Sequence, residues 1–298
     1  MRRGIVACLV AALAATGALA PAGATAAVPG VPWTNLMPPL PSPNQERPKK
    51  VRHCPEPTLE CVRVQIRRMQ RLQGRLGCDH RAVFTTTYLT LTRQLKKTLK
   101  ADPHFFRFEK YFFQEDAVFA NVYFRVIKAW NRGEPVPDAW RIAFEHAASG
   151  DANGAQDMLM GINAHVQNDM PFVLAHMGLR NKKGQSRKPD HDKANLVLNA
   201  GYEPVVRQVR RRYDPILSLT NPDWMPIDDV AGLEVVRGWR EQVWRNAERL
   251  VNADTAAKRR QVATQIEQAA AIQATLIGLP QQPGYRATRD AYCQEQLG

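Results

Sequence analysis

The chain has 298 residues, 44% hydrophobic and 23% charged, with 41 Lys and Arg against 28 Asp and Glu for a formal net charge of +13. These are the proportions of an average globular protein, and they exclude a collagen-like, low-complexity or wholly disordered chain. The one long apolar stretch is N-terminal, which excludes a polytopic membrane protein.

Arg2 and Arg3 precede an Ala- and Leu-rich apolar run over residues 5–20. Ala24-Thr25-Ala26 then places small residues at the two positions that signal peptidase reads. Residues 1–26 are therefore expected to be a secretory signal peptide, cleaved after Ala26, and the protein to be secreted or extracytoplasmic. Cleavage removes Arg2 and Arg3, so the charge falls from +13 by two, to +11. So basic a chain suits an anionic partner such as an envelope polymer or a lipid surface. The basic stretches at 207–212 and 258–260 lack the interleaved aromatics of a single-strand groove, so there is no specific nucleic-acid motif. No transmembrane helix is expected after cleavage.

Residues 27–57 form a Pro-rich arm or linker, because prolines such as Pro38, Pro39, Pro41 and Pro43 favour extended chain and cannot continue a helix. Trp33, Leu36 and Met37 are its candidate docking residues. From residue 58 helical spacing takes over, and 58–298 reads as one helical domain. Val62, Ile66, Met69 and Leu72 recur at three and four residues, which predicts a helix over 58–76. That helix decides the cysteines. At ~1.5 Å rise per residue, Cys61 and Cys78 would stand roughly 25 Å apart. Disulfide Cα atoms must lie within about 7 Å. Cys61–Cys78 and Cys54–Cys78 are thereby excluded, leaving Cys54–Cys61 and Cys78–Cys293, as an exported chain with an even cysteine count allows.

Further helices are predicted over 81–100, over a short stretch begun by Pro103 and carrying Phe105, Phe106 and Phe108, and over 115–131 and 138–148. The most apolar helix spans 151–176. A polar, basic loop follows at 180–189, then a helix over 190–213 capped by Asp190 and bent near Gly201 and Pro204, an irregular stretch to 228, and two last helices over 230–252 and 255–276. There are no alternating strand pairs and no repeat. The fold class is all-α: a single irregular multi-helix bundle with an extended Pro-rich N-terminal arm.

The central helix carries the chemistry. At ~100° per residue, His165, Asp169, Phe172 and His176 fall in one stripe, with Met158, Gly161 and Ile162 on the same face. The stripe should point inward, and a buried His and carboxylate need each other, a metal or other partners. His165 and Asp169 stand at i, i+4, close enough to pair or to hold one divalent metal such as zinc. Pro171 cannot donate to the Gln167 carbonyl, so a kink is expected beside them. Asp192, Asn195 and Asn199 share a face of the following helix and are the expected partners. Asp116 and Asn121 are further polar positions amid apolar neighbours. Two functions fit. One is metal-assisted hydrolysis of a phosphoester or lipid, with His165, Asp169 and Asp192 as its catalytic set. The other is a non-catalytic secreted binding domain for an anionic cell-envelope component, its buried polar groups being structural.

Five pieces of the chain resemble a bacterial helical family known only as a domain of unknown function: DAVFANVYFRVIKAW, GEPVPDAWRIAF, GINAHVQNDMPFVLA, DHDKANLVL and, more weakly, REQVWRNAERL. The resemblance implies a helical fold around a central GxNAHxxxD segment, with Asp116, Asn121, Asn163, His165, Asp169, Asp192 and Asn195 as its polar motif residues. Through the HxxxD on a buried helix, the segment is also similar to the helical zinc-dependent phospholipase C and P1-type nuclease class.

Overall fold

The computed structural model describes residues 36–37, 39–215, 229–279 and 284–297, with backbone only over 229–233, all within the unit Pro32–Gly298. The expected signal peptide, Trp33 and residues 216–228 with Trp224 lie outside the described residues.

The first helix, α1 (Leu59–Leu76), starts where expected, with the Thr58 hydroxyl accepting from the Glu60 N–H. α2 (Ala82–Ala101) is the central helix and is buried almost all round in its first half. Its β-branched run survives as helix because the threonines satisfy themselves. Thr85, Thr87, Thr90 and Thr92 each donate to the carbonyl four residues back, at 2.8–3.2 Å.

Residues 103–108 form turns rather than the expected short helix, and α3 (Glu109–Asn131) begins six residues before the predicted 115. The cause is tertiary. The Asp190 carboxylate accepts from the Arg107 and Phe108 N–H groups at 2.9 and 2.6 Å, so the residue expected to cap its own helix caps the entry to α3. Then come α4 (Asp138–Ser149), α5 (Gly154–Asn163, opened by an Asn153/Gln156 capping box), a π-helical segment (Ala164–Asp169) and α6 (Met170–Met177). α7 (Lys188–Tyr213) runs as one helix with Pro204 inside it. α8 (Asp229–Asn252) and α9 (Ala256–Gly278) follow, and α10 (Tyr285–Leu297) is a helix the sequence pattern did not reveal.

α2 packs on α1, α5 and α7, and two glycines allow the approach. A Cβ at Gly161 would lie 2.4 Å from the Phe84 ring, and one at Gly201 2.7 Å from Leu91. α9 covers α4 and α5, while α8 covers α6. Both expected disulfides are at bonding distance, with Cα–Cα 4.8 Å for Cys54–Cys61 and 5.7 Å for Cys78–Cys293. The second holds α10, and the buried Tyr285 and Arg289 also anchor that helix.

Over its described residues from 39, the Pro-rich arm is tied down by backbone groups. Leu40 N donates to Glu248 at 3.0 Å and Gln45 N to the Arg180 carbonyl at 3.0 Å. Leu36, an expected docking residue, is 61% exposed. Among the described residues no helix is long and apolar enough to cross a membrane.

Candidate functional site

The π segment sits where Pro171 follows a buried polar stretch. Proline lacks the N–H that would close an α turn, and its ring crowds the carbonyl four residues earlier. The chain answers with a wide turn rather than a simple kink, and the Met170 N–H reaches the His165 carbonyl, five residues back. The extra residue rotates everything after it by about 100° relative to an unbroken helix. His176, expected on the inward stripe, is therefore exposed, and Phe172 packs instead beside Ala175, Leu250 and Ile266.

Upstream the expected pair forms. His165 Nδ1 lies 3.0 Å from Asp169 Oδ2, and both residues are buried, at 2% and 4% exposure. Their partners differ from the expectation. Asp169 Oδ2 also accepts from Trp140 Nε1 at 2.9 Å, and Oδ1 accepts from Asn168 Nδ2 at 2.8 Å. Asp192 does not meet them. Its carboxylate binds Lys188 Nζ at 2.7 and 2.8 Å and stays half exposed. The reason is packing: α7 lies on α2 and α8, and Lys188 also pairs with Glu241 of α8. Asn195 likewise makes no bond to the pair, and its Oδ1 is enclosed without a partner. Asn121 faces the other way, donating to the Arg52 carbonyl and accepting from Arg68 at 2.9 and 2.7 Å. Asn163 donates to the Ala270 carbonyl at 2.7 Å and fastens the segment to α9.

Rings enclose the imidazole. Phe119 stacks on it with centroids 3.6 Å apart and planes within 5°, and Tyr88 lies at 4.9 Å, Phe84 at 5.8 Å and Trp140 at 5.9 Å. Burial in this shell holds the His165 pKa below its ordinary value, against the opposing pull of Asp169. A carboxylate only accepts, so the neutral ring donates through Nδ1 and carries its lone pair on Nε2. Nε2 has no protein partner.

His165 is one wall of an apolar cavity of about 250 Å³ between α2, α3, α5, α7 and α8. Its lining is mainly aliphatic and aromatic, from Phe84 and Leu91 to Ile162, Val197 and Trp239. The polar atoms reaching it are few. The Tyr88 hydroxyl and Asp116 Oδ2 are enclosed and unpaired. Burial pushes the Asp116 carboxyl up to about 7, with Glu115 adding to the shift, and it pushes Glu115 itself up to about 7. The Tyr88 hydroxyl is held well above its usual value by burial and by Asp116, so it remains a donor. Arg240 of α8 completes the polar rim, lowered to about 10 by burial.

Asp116 lines the same cavity as His165. Trp140, Tyr88, Phe119, Glu115 and Arg240 went unread. Only Trp140 carried a usable signal, since an indole N–H on a buried face must find an acceptor. The residues do not compose a zinc site. Both Asp169 oxygens are taken by Trp140, Asn168 and His165, leaving Nε2 as the pair's one free donor atom. Among the described residues no group of three or more His, Cys, Asp or Glu side chains is placed to hold a metal ion. The likeness to zinc phospholipases and nucleases therefore has no support.

Fold and site together define an all-helical protein built around an apolar cavity with a His–Asp pair in its wall. A family model of unknown function, DUF5995, matches residues 62–280, and the chain belongs to that family. No curated protein and no solved structure matches it.

Proposed function

We propose that this protein binds a compact, largely apolar small molecule in the cavity beside His165. The observation that carries this reading is a buried imidazole, its Nε2 without a protein partner, among the residues lining a largely apolar cavity. Buried polar groups are ordinarily paired, and an unpaired acceptor in such a wall is what a ligand donor would satisfy. The volume lies below the usual drug-sized range, which favours a ligand of one or two rings or a short chain. Of the two functions drawn from the sequence, this stands nearer the binding domain than metal-assisted hydrolysis, with an apolar occupant in place of an anionic polymer.

Export belongs to the same proposal. Two disulfides suit an oxidising compartment, and secreted material should begin at Ala27 by N-terminal sequencing. Cavity binding is tested by thermal shift with naphthalene and with naphthol. Both should raise Tm, naphthol more because its hydroxyl can donate to Nε2, and Ile162→Trp should abolish both shifts by filling the space. Equal shifts in the wild type and the filled variant would sink the reading.

A further inference from the structure

We infer that His165 is a general base, whose Nε2 takes a proton from a small carbonyl compound in the cavity while the Tyr88 hydroxyl and the Asp116 carboxyl face the oxygen that gains charge. This rests on the cavity reading above and adds a reaction to it.

The argument is geometric. A base must present a lone pair to its substrate and be held in one tautomer by a second group. Asp169 does the holding. It takes Nδ1 at 3.0 Å and is itself fixed by Trp140 and Asn168, so the ring cannot turn its proton toward the cavity. Asp169 is thus a positioning residue. Phe119, stacked at 3.6 Å, fixes the ring plane. The free nitrogen, the Tyr88 hydroxyl and Asp116 Oδ2 are three unpaired polar atoms on three elements around one apolar space. The titratable groups on the packed elements are Tyr88 from α2, Asp116, Glu115 and Tyr123 from α3, Tyr202 from α7 and Arg240 from α8, besides Asp169 on the segment itself. The wide π turn places His165 and Asp169 in this register, a backbone feature frequent at working sites.

The chemistry balances without a co-reactant. Nε2 accepts the proton from the carbon next to a carbonyl, and the C–H electron pair passes to the carbonyl oxygen as an enolate. The same proton then returns from Nε2 to that carbon or to its vinylogous neighbour, giving an isomer with no net oxidation or reduction. Tyr88 and Asp116 would donate to the enolate oxygen.

The test uses the purified, oxidised protein and nitrobenzisoxazole, a planar apolar probe of bases in apolar pockets. Nε2 takes its ring C–H proton, that electron pair completes a nitrile, and the N–O bond breaks with its pair leaving on oxygen as a coloured cyanonitrophenolate. The proton then passes from Nε2 to water. We expect saturable turnover that His165→Gln lowers by at least about 100-fold. Should His165→Gln fail to fold, Leu198→Trp, on the half-buried α7 edge of the cavity, should raise KM or abolish turnover while its circular dichroism stays that of the wild type. Probe binding, seen as a thermal shift, without turnover would overturn the base and leave the cavity reading standing. Turnover that persists in either folded variant would also overturn the base. No probe binding at all would overturn both.

Discussion

Two clusters of buried charge can be set side by side. At the π segment, His165 and Asp169 satisfy each other, and an aromatic shell leaves one ring nitrogen without a partner on a residue that lines a cavity. At the C-terminal helix, His80 bridges Asp157 and Asp290 at 3.3 and 3.1 Å, and the fully buried Arg289 lies 3.7 Å from Asp157. Apart from Asp290, whose side chain is 39% exposed, this second cluster is as deeply buried and more highly charged, yet none of its residues lines the cavity. It sits beside Cys78–Cys293 and serves to hold α10 on the body. The second cluster also holds unpaired atoms, on Asp157 and Arg289, so neither buried charge nor an unpaired atom marks a site by itself; the adjoining cavity is what differs.

The comparison can be broken most forcefully at the latch. Replacing Cys78 and Cys293 by Ser opens a loop spanning 215 residues of sequence and should cost about 5 kcal/mol in the chain-entropy model, read by denaturant unfolding. Turnover and probe binding should survive wherever the variant stays folded. Next comes Arg289→Ala, which leaves the Asp157 carboxyl, already raised by burial, with His80 as its remaining charged partner and should cost about 1–3 kcal/mol. A loss below about 1 kcal/mol would mean that the latch charges are idle.

The cavity side should respond to pH instead. Asp116 has a folded pKa of about 7 against an ordinary 3.8. Between those values the native state holds a proton that the unfolded chain has released, so stability falls as pH rises through about 7. Asp116→Asn removes that penalty. It should stabilise by about 1–2 kcal/mol above pH ~7.5, a value reduced because Asp116 is half-buried, and by little below pH ~4. Melts across this range check the sign; stabilisation greatest in acid would refute it. The smallest effect belongs to Asp192→Ala. Its half-exposed pair with Lys188 should be worth under about 0.5 kcal/mol, and the cavity should not notice its loss.

Residue spacing carried the reading of α1, α2, α4 and the His165–Asp169 contact, because apolar periodicity and the i, i+4 rule are local. Both disulfides were also legible, since helix rise alone excludes the competing pairings. Three things were not. α10 is short and polar, with Tyr285, Arg289 and Cys293 as its buried residues, so its pattern is too sparse to see. The start of α3 is set by Asp190, more than 80 residues away. The placing of His176 and Phe172 follows from a π turn that no periodicity predicts.

By itself the sequence determined that this protein is helical, that it carries two disulfides of known pairing, and that a histidine and a carboxylate would meet inside it. Each of these rests on interactions within a few residues or on a length no fold can alter. Tertiary structure alone decided which groups complete that pair. An acceptor buried on one helix is satisfied by whichever donor packs against it, here Trp140 of α4 rather than Asn195 of α7. It alone decided, too, that a cavity remains beside Nε2, because a void is a property of five helices packed together and belongs to none of them.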